Sequence, residues 1–534
     1  MSRPPFFSVL FVLSVLLVLS PAQAADLGRV DFPTSGAPAA QAHFLRGVAA
    51  LHSFWYDEAA DAFRDAQKAD PGFALAYWGE AMTYNHPIWG EQDLEAARAV
   101  LARAAKAPTD REKAWLAAVE VLYGEGEKPR RDRAYAEAMR ALHERFPEDL
   151  EAASFYALAL IGPALTGGQT GPDRDRDLMK AAGVLEELRD RNPEHPGVLH
   201  YLIHAYDDPI HAPLGLRAAR MYSKVAPSAH HALHMPSHIF LQLGQWPETS
   251  ACNEASWAAS VDWVKRRNLP LDKRDFHSLS WLAYSYLQQG RLRKAEEVLE
   301  IARQAGRESD SPRIASALEG MEARQSIETR TWQAVKPALA AVKGKEEAHC
   351  GMAHSRGDGA AFLAQGLGAA RAADLAAAEE AASGLRALNE GKADDYHSAP
   401  GRIMEKEVSA LVLLAKGKQD EALALLGEAA DLEARMPPPS GPPDPIKPAP
   451  ELYAEVLLQV GKAAEAAQQF QASLLRMPNR AASLLGAARA AAKMGDKEAA
   501  RRHYAALAEV WKDADPTLPD LAEVRAYLSE VPAR

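Results

Sequence analysis

Residues 451–480, ELYAEVLLQVGKAAEAAQQFQASLLRMPNR, read as a helix, a Val460-Gly461-Lys462 turn, and a second helix that stops before Pro478. Within them Ala466, Phe470 and Pro478 stand at relative offsets of 0, 4 and 12. Ala500 and Tyr504 repeat the first two places 34 residues later, behind a turn at Gly495. A small residue lets two helices cross closely, and a proline cannot continue a helix. A helix–turn–helix period of 34 residues points to a repeat solenoid, in which each pair buries its neighbour's apolar face.

Working outward, the same frame recurs. Gly47, Ala59, Phe63, Ala66 and Pro71 carry it in full near the start. Ala74, Tyr77, Ala81 and Tyr84 follow in the next unit, Ala295 and Ala302 stand behind Gly290, and Gly417 precedes Ala422. The last unit departs from the frame at Leu507 and Lys512. Residues 110–190 and 311–390 read as helical but degenerate. The expectation is an all-α, right-handed solenoid of roughly eight to twelve helix pairs or partial pairs. It occupies residues 25–435 and resumes in C-terminal units over 451–534. Between them, 436–450 is rich in proline (MPPPSGPPDPIKPAP) and reads as a stiff connector, or as a strap laid across the groove. Thr166 to Asp173 reads as a loop.

The 534-residue chain is 48% hydrophobic, enough to fold rather than remain disordered. Its net charge of -11 is built from interspersed signs, which argues against a nucleic-acid footprint. Arg3, the apolar run Phe6 to Ser20 and the small residues Ala22-Gln23-Ala24 form a signal-peptide pattern over 1–24. Cleavage after Ala24 would release a protein with no membrane span into a bacterial periplasm. Cys252 and Cys350 pair there or remain two buried thiols.

The 17 histidines are not evenly spread. His200 and His204 are one helical turn apart, as are His234 and His238, and the two pairs are 34 residues apart. With Gly244 and Gly290 as turn residues, His231 and His277 fall at the second position of their repeats, and Asp207 and Asp208 follow His204 by three and four. The frame also puts His52 and His86 at one shared position, with Trp78 and Asn85 nearby. Imidazole is a good ligand for zinc, copper or iron. His200, His204, His231, His234, His238, His277, Asp207 and Asp208 are therefore the candidate metal-ligating set, centred on the two pairs. The alternative is a polar groove whose histidines bond to one another and to water. Pro236 marks a kink or a late helix start within the His234–His238 segment. His349, Cys350, His354 and His397 are weaker candidates. No H-E-x-x-H, P-loop, G-x-S-x-G or dinucleotide motif occurs. Catalysis would have to use an open metal position.

The stretches FALAYWGEAMTYNHPIW, HYLIHAYDDP, HHALHMPSHIFLQLGQW and RDFHSLSWLAYSYLQQG resemble a broad family of exported bacterial tetratricopeptide-repeat proteins. The H-Y-x-I-H and H-M-P-x-H segments are the specific part. The resemblance implies the repeat fold, export, and that His200, His204, His234 and His238 belong together. It defines no biochemical role. In such proteins the second, fifth, ninth, twelfth and thirteenth positions line a concave groove. Three readings therefore stay open: a groove that binds a metal ion with a peptide or small ligand, a metal-dependent enzyme, and a metal-free scaffold for a protein partner.

Overall fold

The Phe63 ring shows why the repeat frame exists. A Cβ built at Gly47 or Gly79 would lie 2.7 or 2.2 Å from it, so helix, ring and helix fit only because both positions lack a side chain. Near the other end Phe470 lies against Gly486 in the same way, with an imagined Cβ at 2.1 Å. The turns between paired helices are closed by glycines in the left-handed region, among them Gly244 at φ 62° and Gly290 at φ 68°.

The computed structural model describes residues 26–166, 171–332, 359–392 and 398–530. Among these the chain is an all-α solenoid of antiparallel helix pairs of tetratricopeptide form, from Pro38–His52 with Tyr56–Ala69 to Ala481–Lys493 with Lys497–Val510 and a final helix Leu521–Glu530. The signal-peptide segment, His349, Cys350, His354 and His397 lie outside the described residues. The predicted loop after Thr166 is bracketed by the end of Leu150–Thr166 and the start of Pro172–Arg191. No helix among the described residues is long and apolar enough to cross a membrane.

The frame is interrupted early by an unforeseen feature. The helix Ala74–Met82 stops short, and Asn85–His86 pairs with Glu91–Gln92 as a small antiparallel hairpin. His86 therefore leaves the predicted groove position. Its ring stacks on Tyr56 with centroids 4.0 Å apart. Trp78 is fully buried among Phe32, Phe44, Trp115 and Phe155 rather than facing a groove.

The superhelix also folds back on itself twice. At the N-terminal side, Pro38–His52 packs against Pro196–Ala205, and Trp263 Nε1 donates to Glu58 at 3.0 Å. At the C-terminal side, Trp246 Nε1 donates to the Asn479 carbonyl at 3.0 Å, and the Asp515 amide donates to the Gly290 carbonyl at 3.0 Å. The proline-rich residues run between these closures. Gln242 Nε2 donates to the Pro439 carbonyl at 2.7 Å, and a Cβ at Gly441 would sit 2.4 Å from Trp281. The segment thus lies against the middle repeats. It ends earlier than its composition implies: Ala449–Gln459 is already helix, with Pro450 in the first turn, where a missing amide hydrogen costs nothing.

Candidate metal centre

Five of the six central histidines are buried, at 0–8% exposure, and His277 is half-buried. They are packed against one another and against aromatic rings, not exposed in the open groove expected from the frame. Pro196 opens the first carrier helix, and His195 caps it by accepting the Val198 amide hydrogen at 3.2 Å. That helix holds His200 and His204 one turn apart. The next carrier is split. His230–His234 ends, and Pro236 begins a second short helix, Pro236–Gln242, so His234 and His238 sit on either side of the break. His277 enters from the start of Phe276–Gln288, whose first turn is capped by Asp275.

The six imidazoles form two trios rather than one four-histidine centre. In the first, His200 Nε2 lies 3.0 Å from His204 Nε2 and 3.2 Å from His231 Nε2. In the second, His234 Nε2 lies 3.2 Å from His238 Nε2 and 3.1 Å from His277 Nε2. His231 and His277, peripheral in the sequence reading, are full members.

For His200, His238 and His234 the remaining ring nitrogen indicates the tautomer. His200 Nδ1 is 2.7 Å from the carbonyl of His52, an oxygen left without an intrahelical partner at a helix end. A carbonyl only accepts, so Nδ1 carries the hydrogen and Nε2 the lone pair. His238 Nδ1 donates in the same way to Asp207 Oδ2 at 2.7 Å. His234 Nδ1 donates to Asn253 Oδ1 at 2.7 Å; the Asn253 amide nitrogen is committed to the Thr249 carbonyl at 2.8 Å, which sets the orientation. Burial also disfavours charge on the rings. It pushes His200 down to about 3, and His231 and His234 well below the ordinary histidine value. The Nε2 lone pair of His234 is therefore turned toward His238 Nε2 and His277 Nε2.

The two carboxylates have different roles. Asp207 holds His238 and also accepts from Gln242 at 3.1 Å, so it orients a ring rather than joining either trio. Asp208 closes its own turn: it accepts the amides of Ile210 and His211 and pairs with His211 Nδ1 at 2.7 Å. Sequence reasoning did not find Asn253, the His52 carbonyl, or the aromatic walls. Phe54 packs edge-on to His200 at 4.3 Å, held at an unusual positive φ of 51°. It also borders an apolar pocket with Met82 and Phe155. Trp281 packs on His238 at 4.5 Å and His234 at 4.8 Å.

A third cluster differs in kind. His52 Nε2 and His195 Nε2 lie 2.6 and 3.1 Å from the two oxygens of buried Glu151. The His52 Nδ1 lone pair takes the Tyr201 hydroxyl at 2.9 Å, and that of His195 takes the Val198 amide. Every nitrogen is matched. Burial alone would raise Glu151, but His195 and His52 outweigh it and hold the carboxyl well below its usual range. This is a closed hydrogen-bond network.

No protein-family profile matches the chain, and no curated protein is similar to it. Solved structures with a similar course of the chain include a tetratricopeptide repeat protein from Parabacteroides merdae (14% identity, TM-score 0.30, covering 57% of this chain and 99% of that one). Yeast Tom70 is 13% identical, with a TM-score of 0.28 over 92% of this chain and 95% of its own. The human IFIT1 dimer with m7Gppp-AAAA is 12% identical, with a TM-score of 0.34 over 94% and 90%.

Proposed function

We propose that this protein binds a transition-metal ion (zinc, copper or iron) through its buried histidine trios, in an exported, periplasmic setting. The second trio carries the reading. His234 and His238 both spend their Nδ1 hydrogens on outward acceptors, yet their Nε2 atoms face each other at 3.2 Å with His277 Nε2 3.1 Å from His234. One added proton would serve one pair of nitrogens. One cation serves all three. Nitrogens each about 2.0–2.1 Å from a tetrahedral ion are themselves about 3.3 Å apart, close to the two spacings from His234, and all three nitrogens lie within 4.8 Å of one another.

The donor set is all imidazole, which suits zinc, copper, iron and nickel over calcium or magnesium. The bonds from Asp207, Asn253 and the His52 carbonyl supply the outer support that ligating histidines usually have. Three protein ligands leave a coordination position for water or a small ligand, as in catalytic zinc sites. The buried location favours such a small ligand over a peptide at this point of the solenoid.

The test is metal content after purification without chelator, followed by melting with and without added Zn2+, Cu2+ or Fe2+. Binding at one hundred times Kd stabilises the fold by about 2.7 kcal/mol. Replacing His204 and His238 together by alanine should abolish that gain while helix content is kept. A chain that carries no ion and melts unchanged with all three metals would refute the reading.

A further inference from the structure

We infer that the two histidine trios form one dinuclear centre, in which two ions share an exogenous hydroxide or small oxyanion. The inference rests on the metal-binding reading above and adds stoichiometry and ligand class to it.

The trios are neighbours. His231 and His234 share one short helix with ring centroids 6.1 Å apart, and His204 and His238 face each other across two helices at 5.9 Å. Each trio supplies three nitrogen ligands, so each ion retains an open position. In two-metal sites about 3.5–4 Å apart, a single oxygen ligand can span both ions.

Charge then identifies the ligand. All six donors are imidazoles, and two divalent ions bring four positive charges into a buried space. Two carboxylates act on these rings. Asp207 is bonded to His238, and Asp275, whose Oδ2 lies 3.5 Å from His230 Nδ1, acts electrostatically on His234 and His277. They leave two positive charges uncompensated, which is costly away from water. An anion placed between the ions answers both the empty positions and the charge. Its size is limited by the walls: Phe54 lies against the first trio, Trp281 against the second, and Gly441 presses on Trp281 from outside. Hydroxide, a carboxylate or phosphate fits this description; a macromolecule does not.

The experiment titrates metal-free full-length protein with Co2+, followed by its visible bands, and then adds inorganic phosphate or acetate to the loaded protein. The wild type should take two ions per chain and bind the anion. His231→Gln should keep only the second ion and His277→Gln only the first, with anion affinity falling at least tenfold in both. If either variant loses helix content, His204→Gln and His238→Gln repeat the comparison from other helices. Saturation at one ion per chain overturns the dinuclear centre while leaving metal binding intact. Two ions with unchanged anion affinity in the single variants mean two separate sites, and also overturn it. Phosphate binding without acetate binding marks a phosphate ligand; anion displacement only by rising pH marks hydroxide; both support the bridge. Uptake of no ion removes the earlier reading itself.

Discussion

Among the places where the solenoid buries ionisable groups, two are built on opposite principles. In the C-terminal half, Arg480 is 1% exposed and Glu451 fully buried, and they meet through two parallel hydrogen bonds of 2.8 and 2.9 Å. Arg480 also reaches Tyr284 at 3.1 Å and Glu328 at 2.7 Å, while Lys447 donates to Glu451 at 2.8 Å. Burial would raise Glu451, yet Arg480 and Lys447 hold it well below the carboxylate range. The four charges of Arg480, Lys447, Glu451 and Glu328 are matched in sign. In the middle repeats, His200, His234 and His238 turn their Nδ1 donors to protein acceptors, and their Nε2 atoms lie among those of neighbouring histidines. The first arrangement is complete without a ligand. The second gathers ring nitrogens that could hold a cation. Burial and clustering are common to both, so the count of unfilled valences separates a strut from a site.

The sharpest way to break this contrast is Arg480→Met. Removing one partner of a buried ion pair leaves the other charge unpaired and costs about 3–5 kcal/mol. The melting temperature should fall strongly, and by the same amount with metal or chelator. A loss that metal reverses would mean that the two regions are one energetic unit.

One buried group from each region, His200 and Glu433, should also respond to pH with opposite sign. His200 titrates near 3 in the fold because it is buried, against about 6.5 when unfolded. The unfolded chain takes the proton first, so metal-free protein loses stability from this group as pH falls below 6.5. Glu433 is pushed up to about 7 by burial, from an ordinary 4.5. Here the folded chain takes the proton first, so its contribution is present below 4.5 and is lost as pH rises toward 7. Each is worth at most ~1.4 kcal/mol per pH unit. Melting of the metal-free protein across pH 4.5–7 should therefore show His200→Gln flattening the acid-side loss and Glu433→Gln gaining on the wild type as pH rises. Parallel curves for all three would contradict both assignments. The low value for His200 also moves proton competition for metal below the pH 6.5 that an exposed histidine would set.

How much of this the sequence carried follows from range. The pairs His200–His204 and His234–His238 were legible because helical spacing and the 34-residue period are local signals. The division into trios was not. It depends on the break at Pro236 and on His277 arriving from another helix pair. The tautomer of His200 depends on a carbonyl 148 residues away. Position within a repeat could not show that Asp208 would be consumed by its own turn, or that the hairpin at Asn85 would remove His86 from the frame. The histidines were assigned to an open concave groove; they are instead mostly buried, in repeats against which distant parts of the chain pack.

Asp207→Asn is a smaller probe, confined to one trio. Asparagine can still accept from His238 Nδ1 but supplies no charge. Loss of such an outer partner typically costs about 10–100-fold in metal affinity. The ion held by His234, His238 and His277 should weaken by that factor, and the ion of the His200 trio should not. Equal weakening of both would argue for a single shared ion.

The smallest expected effect lies at the strap, where Gly441→Ala asks whether the proline-rich segment belongs to the site or merely crosses it. The new methyl group would sit 2.4 Å from Trp281, too close to be tolerated without movement. Prolines on both sides limit how far the strap backbone can yield. Trp281 is then the part that must shift, and it packs on His234, His238 and His277. Overpacking of this kind costs about 1 kcal/mol at the low end, so the melting point should drop slightly. Affinity at the second trio should fall with it, because the wall that fixes those three rings has moved, while the first trio, walled by Phe54, keeps its ion. A lower melting point with both affinities intact would make the strap a brace for the C-terminal repeats, and would assign the seclusion of the histidines to the closed superhelix alone.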